Sequence, residues 1–156
     1  MKKIDITIPV LSVAPSELPA PEQALIEEAK QACDYAYAPY SHFHVGAALL
    51  LDDGTVVRGA NQENAAFSSG ICAERSACFN AGANHKGKRI THIAIAARKG
   101  DAFQRLPISP CGACRQALLE FEQVQNSPVK VLLYGSEATY VLPSVASTLP
   151  LCFTEF

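Results

Sequence analysis

Three helix-period stretches of apolar residues alternate along this chain with strand-length apolar runs, and that alternation leaves few folds open. From Glu22 to Ala38 the residues Leu25, Ala29, Ala32, Cys33 and Ala36 recur at helical spacing, with Pro21 suited to the first turn and Pro39 closing the far end. Phe43 to Leu51 and Thr55 to Ala60 are strand-like and flank Asp52-Asp53-Gly54, a turn signal that predicts a β-hairpin. A second helix is predicted from about Cys72 to Ala83, followed by an apolar strand from Ile90 to Ala97. A third helix opens near Cys111 and turns Ala117, Leu118 and Phe121 inward, until Ser127-Pro128 ends it. Val129 to Tyr134 and Thr139 to Leu142 supply the last two strands. Helices that connect strands of one sheet must be buried against it, so this order implies an α/β fold: a three-layer α/β/α sandwich around a mixed five-stranded sheet.

Residues 1–20 read as a lead-in that can add an edge strand, because Pro9, Pro15 and Pro19 interrupt it before the first helix. Residues 21–156 then form one domain, and with 49% hydrophobic residues it needs no covalent staples. The formal net charge of −2 provides no positive field for a phosphate backbone or an anionic membrane, so neither nucleic acid nor membrane is an expected partner. Ile4, Ile6 and Ile8 alternate with polar residues, unlike the continuous apolar stretch of a secretory signal, and a cytoplasmic location is expected. Six cysteines in a reducing compartment point to metal binding or catalysis before disulfides.

Cys111-Gly112-Ala113-Cys114 sets two thiols three residues apart at a helix start, where both lie along one face and can grip one ion. Taken alone, this motif is equally a redox pair or two buried cysteines packed as small hydrophobes. Cys72-Ala73-Glu74 changes the balance, because Cys72 begins another helix, whose unpaired N–H groups favour a thiolate. A structural zinc site closes with a fourth protein ligand, whereas a catalytic one leaves a corner to water. No fourth ligand is evident: Cys33, Cys78 and Cys152 read as core or tail residues, and His42, His44, His85 and His92 stand at no ligand spacing from the clusters. Glu74, two positions beyond Cys72, points away from the thiolate's direction and can lean over the open corner, although a glutamate near a helix start is also an ordinary dipole partner. Arg75 is either a solvated charge or a cation beside the thiolates, where it would offset their surplus negative charge.

Cys72-Ala-Glu74 paired with Ser109-Pro-Cys-Gly-Ala-Cys-Arg-Gln116 resembles the zinc signature of the cytidine deaminase superfamily, in which a non-ligand glutamate is the general acid and base. A cysteine as first ligand is similar to the small, tetrameric, free-nucleoside branch. The likeness extends through Ala36-Tyr-Ala-Pro-Tyr-Ser-His-Phe43, Asn61-Gln-Glu-Asn-Ala-Ala-Phe67 and Leu149-Pro-Leu-Cys-Phe153. It implies one Zn²⁺ per subunit held by Cys72, Cys111 and Cys114, proton transfer by Glu74, and hydrolysis of cytidine and deoxycytidine to uridine and deoxyuridine with release of ammonia. It further implies that Asn61 and Glu63 hold the ribose, that Phe43 and Phe153 pack on the nucleoside, and that backbone groups around Ala73, Ser109 and Cys111 read the base. A homotetramer with sites completed across subunits follows from the same resemblance. Phe67, where the family often carries tyrosine, and Ser76, where it often carries threonine, depart from the pattern. Competing readings are deamination of another aminopyrimidine such as blasticidin S, a zinc-stabilised binding module, and a polynucleotide editor.

Overall fold

The structure, a computed structural model, describes residues 1–154, so the last two residues of the expected 21–156 domain lie outside the described residues. The chain forms β1 (Leu11–Val13), α1 (Ala20–Ala32), β2 (Phe43–Leu51), β3 (Val56–Ala60), α2 (Ala73–Asn84), β4 (Ile90–Lys99), β5 (Ala102–Phe103), α3 (Gly112–Val124), β6 (Lys130–Tyr134) and β7 (Thr139–Leu142). The sheet order is β1-β7-β6-β4-β2-β3, with β5 paired to β4. Only the β4–β6 pair is parallel among these neighbours, as it must be joined by a crossover, and α3 lies in that connection.

Alternation along the central strands divides the core. Ala47, Leu49, Ile93, Ile95, Val131 and Leu133 face α2 and α3, where Ala77, Cys78, Ala81, Leu118 and Leu119 meet them. Ala48, Ala94, Ala96 and Leu132 face the opposite way, onto Leu25, Ile26, Ala29 and Cys33 of the α1 side. Helices therefore cover both faces, and the fold is the three-layer α/β/α sandwich.

The expected sheet of five strands has seven, because β1 and β5 join it. With three and two residues, these strands are too short to carry a readable period. The first helix also stops at Ala32 instead of reaching Ala38, tightening into a 3₁₀ turn over Cys33–Tyr35. Beyond it the backbone is recruited elsewhere: Tyr37 N–H donates to Asn61 O at 2.9 Å and Glu63 N–H to Tyr37 O at 2.8 Å.

Strand direction places the functional residues. β3 and β4 are each antiparallel to β2, so they run the same way, and the loops that leave their carboxyl ends lead to the starts of α2 and α3 at one edge of the sheet. α2 sits unusually close to β3, since a Cβ on Gly59 would fall 2.4 Å from Ala73 O and Ala77 N. Only glycine allows that approach, and it seats the first turn of α2 directly on the sheet.

Candidate active site and metal centre

Cys72 and Cys111 are the residues immediately before α2 and α3, with extended backbone angles of φ −76°, ψ 154° and φ −65°, ψ 165°. Those are the angles of residues that cap helix starts, and they turn both thiols across their first turns. Cys114, one turn into α3, is fully buried behind them. The Sγ atoms of Cys72 and Cys111 are 3.9 Å apart, those of Cys111 and Cys114 3.5 Å, and all three lie within 4.8 Å of one another. Two sulfurs about 2.3 Å from one tetrahedral zinc would stand about 3.8 Å apart, so the trio fits that ion. Among the described residues, no further Cys, His, Asp or Glu joins the cluster.

The thiols do not share one electrostatic fate. Burial pushes the Cys72 thiol up, against the pull of the Arg75 guanidinium. Burial and then the Glu74 carboxylate push Cys114 far up. Cys111 also loses solvent, but backbone N–H groups of Cys114 and Ala113 and the neighbouring thiols outweigh that loss and hold it below its ordinary value. A cluster that strongly resists full deprotonation without a cation is one whose metal binding displaces protons. Cys33 and Cys78, by contrast, are pushed up to about 11 by burial in the core, where they pack as apolar groups. Cys152 lies exposed in the tail, and its thiol donates to Leu149 O.

Glu74 is 4% exposed, on the first turn of α2, outside the sulfur cluster. Desolvation raises its carboxyl pKa, while hydrogen bonding to its own backbone N–H and to Cys114 and the charge of Arg75 draw it back. Arg75 is half-buried and donates Nη2 to Cys72 Sγ at 3.8 Å, and its Nε is buried without a partner.

These groups border a cavity of about 910 Å³ lined by Cys72, Ala73, Glu74, Arg75, Cys111, Asn61 and Glu63. Asn61 clamps the start of β2, its Oδ1 accepting from Val45 N–H at 2.8 Å and its Nδ2 donating to Phe43 O at 2.9 Å. A carboxamide has two lone pairs and two hydrogens, so one of each is left for the cavity. Glu63 Oε2 accepts from Tyr40 N–H at 2.9 Å and Ser41 N–H at 3.2 Å, and bonds from Ser41 and Tyr40 hold its carboxyl below the usual range. Phe43 and Phe153 do not line the cavity: Phe43 is half-buried at the head of β2, and Phe153 is 64% exposed on the tail. The cavity also has walls that were not expected from the sequence, namely Tyr40, Val45, Ile71 and Ile108. Each reads along the chain as a core or loop residue, and only its place beside the other segments marks it. Phe67, 96% exposed, stands at the same cavity. No helix among the described residues is long and apolar enough to cross a membrane.

Residues 19–129 match the family described as "Cytidine and deoxycytidylate deaminase zinc-binding region", a span that holds the three clustered cysteines and Glu74. The chain is 44% identical over 133 residues to a cytidine deaminase of Halalkalibacterium halodurans, covering 85% of this chain and 93% of that one. It superposes on the crystal structure of cytidine deaminase from Burkholderia pseudomallei with a TM-score of 0.70 at 41% identity, covering 83% of this chain and 97% of that one. For cytidine deaminase from Mycobacterium tuberculosis the TM-score is 0.67 at 31% identity, over 86% and 98% of the two chains. Similarity on this scale, in sequence and backbone alike and over nearly the whole of each relative, means that the chain belongs to the cytidine and deoxycytidylate deaminase zinc-binding family.

Proposed function

We propose that the chain removes the amino group of cytidine and deoxycytidine hydrolytically, giving uridine or deoxyuridine and ammonia, at the centre formed by Cys72, Glu74, Cys111 and Cys114. The observation that carries this reading is the trio of sulfurs within 4.8 Å, without a fourth such ligand among the described residues, beside a carboxylate only 4% exposed. Cys72, Cys111 and Cys114 would hold Zn²⁺, which would supply Lewis acidity and make water a nucleophile near neutral pH. The chain's own residues do the rest. Glu74 accepts one proton from the attacking water and delivers it to N3 of the pyrimidine so that C4 becomes electrophilic. It then takes the second proton from the oxygen now bonded to C4 and passes it to the amine, which leaves as ammonia as the C4–N bond breaks and C4=O forms. Its dry surroundings suit a group that must take up and release a proton in turn.

Arg75 and the starts of α2 and α3 offset the excess negative charge of three thiolates. The spare capacity of Asn61 and the carboxylate of Glu63 are assigned to the ribose hydroxyls, which a paired donor and acceptor can chelate. Ala73, on the cavity wall, offers backbone groups to the base. Phe43 is assigned to packing on the nucleoside from the strand start that Asn61 clamps, and Phe153 to a neighbouring subunit's site. That last role requires an assembly, and the proposed one is a cytoplasmic homotetramer with one Zn²⁺ per subunit.

The test is zinc stoichiometry measured together with ammonia release across cytidine, deoxycytidine and blasticidin S. One zinc per chain with turnover of the two nucleosides is expected. Turnover of blasticidin S alone, or a folded protein that carries no zinc, overturns the reading.

A further inference from the structure

Two consecutive side chains follow Cys114 on α3, Arg115 and Gln116, and both reach the tail. Arg115 Nε donates to Pro110 O at 2.7 Å, and its Nη1 donates to Thr148 O at 3.0 Å. Gln116 Nε2 donates to Phe153 O at 2.9 Å. Pro110 is buried and immediately precedes Cys111, while Ile108 and Ser109 before it line the cavity from a stretch without regular secondary structure. The far anchor is firm. Thr148 is buried, its hydroxyl donates to Val145 O at 2.7 Å, and Val145 N–H is held at 2.7 Å by the buried carboxylate of Glu122. A guanidinium is a planar fork, so bridging two carbonyls fixes their spacing and direction together, which a single ammonium cannot do.

The geometry points to Arg115 as a positioning residue for the deamination: it locks the Ser109–Cys111 wall of the cavity, and with it the Cys111 sulfur, to the Val145–Thr148 turn. The kinetic consequence rests on the deaminase reading, whereas the consequence for metal retention does not. Residues that orient ligands from outside a metal's own shell typically change affinity or activity by about 10- to 100-fold when lost. A residue that merely stabilises the fold would lower the melting temperature and leave each folded molecule's turnover and zinc exchange as they were.

The experiment compares full-length zinc-loaded wild type with Arg115→Met and Arg115→Lys, reading kcat and KM for cytidine, melting temperature, and the rate at which EDTA withdraws zinc. For Arg115→Met, kcat is expected to fall about 10- to 100-fold at full zinc occupancy and zinc withdrawal to speed up about 10-fold, with KM changing less than kcat because Asn61, Glu63 and Ala73 stand on segments that Arg115 does not bond. Arg115→Lys, which can serve one carbonyl at a time, should lie between the two. A kcat or a zinc-withdrawal rate within about two-fold of wild type overturns the proposal, whatever the melting temperature does. Should Arg115→Met fail to fold, Arg115→Lys decides: wild-type values in either readout overturn the proposal, and partial loss in both supports it. A wild type that leaves cytidine untouched counts against the deaminase reading instead, and the zinc-withdrawal rates then decide for Arg115.

Discussion

Glu74 illustrates how far one side chain's chemistry depends on where the fold puts it. On an open helix start it would be an ordinary dipole partner, but here it is 4% exposed and desolvation raises its pKa. Replacing its carboxylate by a carboxamide keeps the size of the group, leaves one oxygen as acceptor, and removes the ability to take up and release a proton. Glu74→Gln is therefore expected to keep its zinc and its fold and to lose about 10²- to 10⁴-fold in ammonia release from cytidine. A variant retaining half its turnover would take Glu74 out of the mechanism. At this scale the sulfur trio and Glu74 are legible in the sequence, because thiols at two helix starts are chemically unusual wherever they occur. Tyr40, Val45, Ile71 and Ile108 are not, since apolar cavity walls and apolar core residues obey the same pattern rules. Phe43 and Phe153 carry the converse lesson: the resemblance points to them, yet neither lines the cavity of this single chain.

Polar groups set between elements help hold them together, and two of them yield measurements. Glu122 on α3 accepts from Val129 N–H at 2.8 Å, Val145 N–H at 2.7 Å and Ala146 N–H at 3.0 Å, tying the helix to the start of β6 and to the turn that receives Arg115. Glu122→Ala leaves these donors without their acceptor and should cost about 3 kcal/mol or more of stability, read by denaturant unfolding. The second is His92 on β4, whose pKa burial lowers; Glu22 of α1 pulls it upward and Lys130 of β6 pushes it down. A base with a depressed folded pKa contributes stability that is present above its unfolded value and is lost as pH falls through the folded one. Unfolding midpoints should therefore drop as pH is lowered from about 6.5, and His92→Phe should flatten that drop; an unchanged slope would assign it to other groups. Long periodic elements such as α3 and β4 are legible from sequence because ten or more residues repeat one pattern. The overreach of the first helix to Ala38 has a non-local cause, as the competing backbone partners of Tyr37, namely Asn61 and Glu63, lie beyond β3.

At the scale of the whole molecule, exposed aromatic rings gather at the rim of the cavity. Phe67 is 96% exposed, Tyr40 60% and Tyr37 56%, and Phe67 and Tyr40 both border the cavity. Large aromatic rings left in water beside a site for a mostly uncharged ligand forgo the burial that an interface would provide, and interface cores are enriched in such residues. In a symmetric assembly each exposed ring recurs in every copy, so one substitution acts at every equivalent contact. Phe67→Asp sets a charge at each of these places without touching a zinc ligand or Glu74. If the rim is where subunits meet, the variant should sediment as a species smaller than the tetramer proposed for the wild type, and KM for cytidine should rise as sites lose what a neighbour contributes. Zinc content should stay at one per chain, because the sulfur cluster belongs to a single subunit. A Phe67→Asp protein that remains tetrameric with an unchanged KM would move the subunit boundary away from the cavity, and Phe153 would then have to act within its own chain.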